Sequence, residues 1–157
     1  VAEKISGIIS GHHRRLCLKS IVYRGTPDYH GLVFGLDKGG SCQGMAFRIA
    51  PENVDSELQR VWRREMFAET YIPTWVCVKT ENGDVNAITF VINTKHEHYV
   101  QDLDLEKIAE RVVLAEGKCG SCHDYVLNTV KCLHQLELRD PVLEQLLTLI
   151  KDPHISV

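Results

Sequence analysis

No stretch of this 157-residue sequence approaches the roughly 20 consecutive apolar residues that a membrane-spanning helix needs, so no membrane partner is expected. Charge of one sign is also missing. Eighteen Lys and Arg stand against 21 Asp and Glu, for a net charge of -3, and the basic clusters His12-His13-Arg14-Arg15 and Arg63-Arg64 are short. Nothing here draws a phosphate backbone, and nucleic acid is not an expected partner. Gly-x-Gly-x-x-Gly does not open any helical segment and no Walker-type loop occurs, so nucleotide chemistry is not suggested. Val1 to Ser10 lacks the charged-then-apolar layout of a signal peptide, and the expected setting is soluble and cytoplasmic. Repeats, linkers and low-complexity runs are absent.

What is present suits one core. With 44% hydrophobic residues, the chain 1–157 reads as a single domain. Four of its six cysteines, Cys17, Cys42, Cys77 and Cys132, lie inside hydrophobic segments, which suits reduced thiols better than a secreted disulfide frame. Strands are predicted over Leu16 to Tyr23, Gly31 to Leu36, Cys42 to Ile49, Trp75 to Lys79 and Val85 to Ile92. Asp37-Lys38-Gly39-Gly40 and Glu81-Asn82-Gly83-Asp84 are the hairpin signals between them. Helical spacing appears over Pro51 to Glu69, Asp104 to Glu116, Asp124 to Leu138 and Pro141 to Ile150, with Asp104, Asp124 and Asp140 as N-caps. Antiparallel strands followed by helices predict an α+β fold with a curled or barrel-like sheet.

Glu65 is the first candidate for chemistry. Val54, Leu58, Val61 and Trp62 recur at three- and four-residue steps, and Glu65 continues that stripe while Glu57, Arg60, Arg63 and Arg64 fall elsewhere. A carboxylate on the apolar side either pairs with a cation or has its pKa raised, and the second state suits a general acid/base near neutral pH. The alternative is a structural glutamate tied to an arginine or a backbone amide. Glu69, one turn further on, is a weaker candidate for a second acid. Arg24-Gly25-Thr26-Pro27 leaves a strand through a tight turn where Arg24 is placed to hold a carboxylate; an ordinary turn is the competing reading. Tyr125 offers a hydroxyl near a helix start, or else is a half-buried aromatic anchor. Cys119-Gly120-Ser121-Cys122-His123 matches a haem-attachment pattern and half of a zinc site, without a second Cys-x-x-Cys or an export route. It reads as a loop between helices. The eight histidines are scattered and form no helical ligand pair, so no metal site is expected.

Six segments resemble, in order and spacing, the ChaC-like γ-glutamylcyclotransferases of the bacterial type. They are Gly11-His12-His13-Arg14-Arg15-Leu16-Cys17, Tyr23-Arg24-Gly25-Thr26-Pro27, Gly31-Leu32-Val33-Phe34-Gly35-Leu36, Gly44-Met45-Ala46-Phe47-Arg48, Trp62-Arg63-Arg64-Glu65-Met66 and Asp124-Tyr125-Val126-Leu127. The resemblance implies a γ-glutamylcyclotransferase-like fold and a lyase, without cofactor, that cleaves glutathione to 5-oxoproline and cysteinylglycine. It implies Glu65 as the catalytic acid/base and Tyr125 as a substrate-binding residue, with Arg24, Gly25 and Thr26 as the candidate substrate-binding turn. The family pattern begins with a strand and a Tyr-Gly-Ser-Leu loop that cradles the γ-glutamyl group. Neither lies within the sequence, and the Val start leads us to expect an incomplete chain. A regulatory protein that binds a γ-glutamyl ligand without turnover, or a cyclotransferase for other γ-glutamyl amines, are the alternative functions.

Overall fold

Period-two alternation starts well before Leu16: Ile5, Gly7 and Ile9 are half-buried between exposed Lys4, Ser6, Ile8 and Ser10. In the computed structural model, which describes residues 3–67 and 69–150, this pattern makes one long strand, β1 (Glu3–Ser20). The second strand, β2 (Gly31–Arg48), is equally long. It runs straight through Asp37-Lys38-Gly39-Gly40, so the hairpin expected there does not form. The two glycines have positive φ, 99° and 67°, and absorb a local distortion without reversing the chain, a conformation that other residues adopt at a penalty. A 3-10 turn, Pro51–Asn53, leads into α1 (Val54–Met66). Then come β3 (Tyr71–Thr80) and β4 (Gly83–Ile92), paired antiparallel with Thr80 opposite Gly83, as the Asn-Gly signal predicts.

The remaining elements are α2 (Leu105–Leu114), a short hairpin of β5 (Glu116–Gly117) and β6 (Gly120–Ser121), α3 (Cys122–Gln135) and α4 (Pro141–Ile150). Asp104 caps α2 by accepting from Lys107 N at 2.8 Å, and Asp140 caps α4 by accepting from Leu143 N at 3.1 Å, as expected. Asp124 is not the cap of α3. Ser121 is, accepting from Asp124 N at 3.0 Å, because the helix starts two residues earlier than the spacing suggested.

Strands and helices form two compact units, each discontinuous in sequence. The first comprises Val1–Arg14 and Leu36–Glu97. It contains the early part of β1, the later part of β2, α1 and the β3–β4 hairpin. Its buried hydrophobic residues among those described are Val78, Val91 and Ile92. The second unit comprises Arg15–Gly35 and His98–Val157. It holds the main core, in which Leu16 and Leu32 from the strands meet Val112, Ala115, Cys122, Val126 and Leu146 from the helices.

The fold is thus α+β with an antiparallel sheet, but the sheet does not close into a barrel. Its order is β2-β1-β3-β4, and β2 and β4 stand at its ends. On the β2 edge, α3 side chains rather than another strand meet the backbone at Leu32 and Phe34. None of the described helices is long and apolar enough to cross a membrane.

Leu32 is fully buried. Leu32→Ala is expected to destabilise the protein by about 2–5 kcal/mol, against about 0.5–2 kcal/mol for the exposed cap change Asp104→Ala, in chemical denaturation monitored by circular dichroism.

Candidate functional site

In the first unit, the stripe on α1 is where the spacing put it, although none of its residues is fully buried. Val54, Leu58, Val61 and Glu65 are half-buried, while Trp62 is 39% exposed and packs edge-on against Phe90 with ring centroids 5.8 Å apart. Of the two states open to a carboxylate on this stripe, the structure shows Glu65 paired with a cation. Its side chain is 25% exposed, and Arg64, its chain neighbour, donates to Oε1 from Nε at 3.1 Å. The arginine is flexible enough to fold back along the helix, so the carboxylate keeps both a charged partner and water. An exposed pair of this kind adds little stability. It does occupy one oxygen and leave Oε2 outside the contact. Glu69 lies beyond the helix, exposed, with φ of 56°, and its carbonyl accepts from Asn93 Nδ2 at 3.1 Å.

In the second unit, the turn Arg24-Gly25-Thr26 is held from several sides. Arg24 N donates to the buried Ser20 Oγ at 2.9 Å, and Thr26 pairs with Tyr29 through N to O at 3.0 Å, its Oγ1 accepting from Tyr29 N at 3.1 Å. The tip of the β5–β6 hairpin docks on the same turn, with Lys118 N donating to Val22 O at 2.7 Å and Cys119 N to Tyr23 O at 2.9 Å. Gly25 and Gly117 meet here. A Cβ on Gly117 would sit 2.5 Å from Gly25 N, and one on Gly25 would collide with Gly31 N and Ser20 O. Gly25 is therefore required for backbone packing, whether or not it touches a substrate.

Arg24 reaches toward the start of α3. Its Nη1 donates to Ser121 O at 3.2 Å and its guanidinium stands 5.6 Å from the Tyr125 ring centroid. Tyr125 OH accepts from Phe34 N at 3.0 Å, and the Phe34 and Tyr125 rings lie 5.5 Å apart. Burial pushes the Tyr125 phenol above its ordinary value, partly offset by the Phe34 amide and the Arg24 charge, so it is a neutral hydroxyl at physiological pH. The structure thus brings Arg24, Gly25, Thr26 and Tyr125 into one unit, and Glu65 belongs to the other.

Among the described residues all six cysteines are free and no group of three His, Cys, Asp or Glu is placed to hold a metal ion. Cys119 is exposed and Cys122 fully buried, its thiol pushed up by burial against the opposing effects of the Leu32 amide and Arg24. The sequence reading passed over Ser20 and Gly117, and it named Gly31, Ser121 and Cys122 only within longer segments, without these contacts. Gly117 and Gly120, flanking a two-residue turn, carried a local signal.

Comparison with known proteins places these features in a family. The model of the ChaC-like protein family matches residues 1–153. The chain belongs to the ChaC-like family. One relative, the glutathione-specific γ-glutamylcyclotransferase of Escherichia coli, is 33% identical over 150 residues, 95% of this chain and 65% of that protein. The chain therefore spans less than two thirds of that relative's length. The γ-glutamylcyclotransferase 2-3 of Arabidopsis thaliana is 27% identical over 147 residues, 88% of this chain and 74% of that protein. The fold is shared with the yeast γ-glutamyl cyclotransferase specific to glutathione, at a TM-score of 0.78 and 18% identity, over 96% of this chain and 88% of that one.

Because the folded state holds Tyr125 as the phenol, the stability it contributes is fully present below the unfolded value of about 10 and is lost as pH rises through and above it. Alkaline unfolding is expected to show that loss, and Tyr125→Phe to flatten it, in melting temperatures measured from pH 8 to 11.

Proposed function

We propose that this chain belongs to an enzyme that cleaves glutathione to 5-oxoproline and cysteinylglycine. Support comes first from the match of one family over residues 1–153, which contains both Glu65 and the Arg24–Tyr125 array, and from relatives whose names specify glutathione or γ-glutamyl cyclotransfer. We propose further that the two units work as a single domain, since that match runs through both.

The reaction asks little of a cofactor. In a γ-glutamyl peptide the α-amine and the γ-carbonyl sit on one residue, and joining them closes a five-membered ring without gathering two molecules. Glu65, as carboxylate, takes a proton from the α-ammonium. The freed amine attacks the γ-carbonyl carbon, whose π electrons move to oxygen to form a tetrahedral oxyanion. When the oxyanion collapses, the bond from that carbon to the cysteine nitrogen breaks and that nitrogen takes the proton held by Glu65; the carboxylate so freed takes the second proton from the positively charged ring nitrogen and passes it to the released amine, which leaves as the ammonium. 5-Oxoproline and cysteinylglycine leave, no water is consumed and Glu65 is regenerated. The contact with Arg64 is compatible with this role, because it engages Oε1 and leaves Oε2 outside the contact to take the proton.

Arg24 and Tyr125 are proposed to hold the substrate. A guanidinium beside a phenol kept neutral by burial gives one fixed positive charge and one hydroxyl donor, which match the carboxylates of glutathione. Gly25 and Thr26 contribute the rigid backbone of the turn.

The test is release of 5-oxoproline and cysteinylglycine from glutathione by this chain and by versions extended at the N-terminus, each beside Glu65→Gln. Turnover is expected to fall by about 10²–10⁴-fold in Glu65→Gln with the circular dichroism spectrum unchanged. Activity that survives Glu65→Gln would sink the mechanism. Thermal stabilisation by glutathione with no product from any version would favour a binding protein, and 5-oxoproline from other γ-glutamyl amines alone would move the substrate class.

A further inference from the structure

Cys122 is the most buried side chain of the Cys-x-x-Cys segment and has no part in the chemistry above. Its Sγ donates to Leu32 O at 3.1 Å and accepts from Leu32 N at 3.4 Å, so both backbone groups of one β2 residue close on one thiol. Three residues on, Tyr125 lies one helical turn along the same face of α3 and accepts from Phe34 N at 3.0 Å. Groups two residues apart along a strand point the same way, so Leu32 and Phe34 present N–H, C=O and N–H along one edge of β2. A helix and a strand are thereby fastened at two points. At the first point the thiol supplies both a donor and an acceptor, which no apolar residue of that volume does.

We infer that Cys122 is a positioning residue for Tyr125: its paired hydrogen bonds to Leu32 fix α3 along β2, which keeps the Tyr125 hydroxyl against Phe34 N and aims its hydrogen at a substrate carboxylate. This rests on the proposed substrate-binding role of Tyr125. The phenol oxygen accepts from the Phe34 amide, so its own hydrogen is left to donate in a second direction. Without the thiol, one of the two polar fastenings described between α3 and this edge is lost, and the hydroxyl loses its fixed bearing. The Arg24 guanidinium, near the Tyr125 ring and bonded to Ser121 O at the helix cap, would shift with it. The cysteine thus has a use that requires neither oxidation nor metal.

The test compares Cys122→Ala with the unaltered chain in two readouts. The first is the titration of Tyr125 followed by nuclear magnetic resonance of ring-labelled tyrosine, the signal being assigned by its loss in Tyr125→Phe. Cys122→Ala is expected to bring the Tyr125 midpoint down toward about 10 as water gains access, while Cys122→Ser, which keeps donor and acceptor, retains the raised midpoint. The second is kinetic. Cys122→Ala is expected to raise KM for glutathione about tenfold with kcat unchanged, the size of one lost hydrogen bond, and to have no further effect once Tyr125→Phe is present. A Tyr125 midpoint unmoved by Cys122→Ala, or KM effects that multiply in the double variant, would overturn the inference. If no version of the chain releases product, the functional proposal fails and the titration alone still decides whether Cys122 positions Tyr125. Cys122→Val, which keeps the volume and loses both bonds, serves the same comparison where the smaller variant does not fold.

Discussion

Three backbone segments of the second unit meet at distances that exclude a side chain. Gly25, Gly31 and Gly117 stand where a Cβ would run into neighbouring amides and carbonyls, and this contact sets where everything around the turn lies. The turn after β1, the start of β2 and the β5–β6 hairpin share their backbone hydrogen bonds there. With so little room, the Arg24 side chain is directed to the cap of α3, where Ser121 serves both as helix cap and as guanidinium acceptor. Van der Waals exclusion and hydrogen bonding act together. The first forces glycine at the crossing, and the second makes the backbone groups gathered there satisfy one another instead of facing an apolar interior unpaired.

The two units distribute their resources differently. Nearly all of the large buried hydrophobic residues belong to the second, whose helices α2, α3 and α4 pack through Val112, Val126, Leu146 and Ile150. The first buries few, and leaves Trp75 71% exposed and Phe67 89% exposed. Rigidity in the second unit follows from apolar burial plus polar fastening. In the first it depends on the β3–β4 ladder and on the close approach of β1, where Gly7 faces the Val78 side chain.

Much of the architecture was legible because it depends on local chemistry. The Asn82-Gly83 turn, the caps at Asp104 and Asp140 and the helical stripes all arise from interactions within a few residues of sequence. Asp37 to Gly40 misled for the opposite reason. Two glycines with turn-like neighbours look like a reversal, but tertiary pairing keeps the strand running, and His13 Nδ1 of β1 lies 2.9 Å from Gly39 O. Periodicity put Glu65 on the half-buried face of α1, but spacing shows a face and not what covers it, and of the two environments it left open the structure shows the pairing with an arginine, Arg64. The fastening of Cys122 and Tyr125 to β2 joins residues about ninety positions apart and left no trace in either segment alone.

That separation bears on how the chain reaches its native state. The second unit is assembled from residues 15–35 and 98–157, so its core contacts close a loop that contains most of the first unit. Loop-closure entropy grows only slowly with length, by about 0.6 kcal/mol for each doubling, but contacts this distant raise the contact order and slow the search. The β3–β4 hairpin and α1 depend on local contacts, and once they are formed less free chain separates Gly35 from His98. An insertion in the Glu81-Asn82 turn lengthens a hairpin whose strands are already paired, whereas loss of the β3–β4 pairing would leave a longer free tether between the two sequence segments of the second unit.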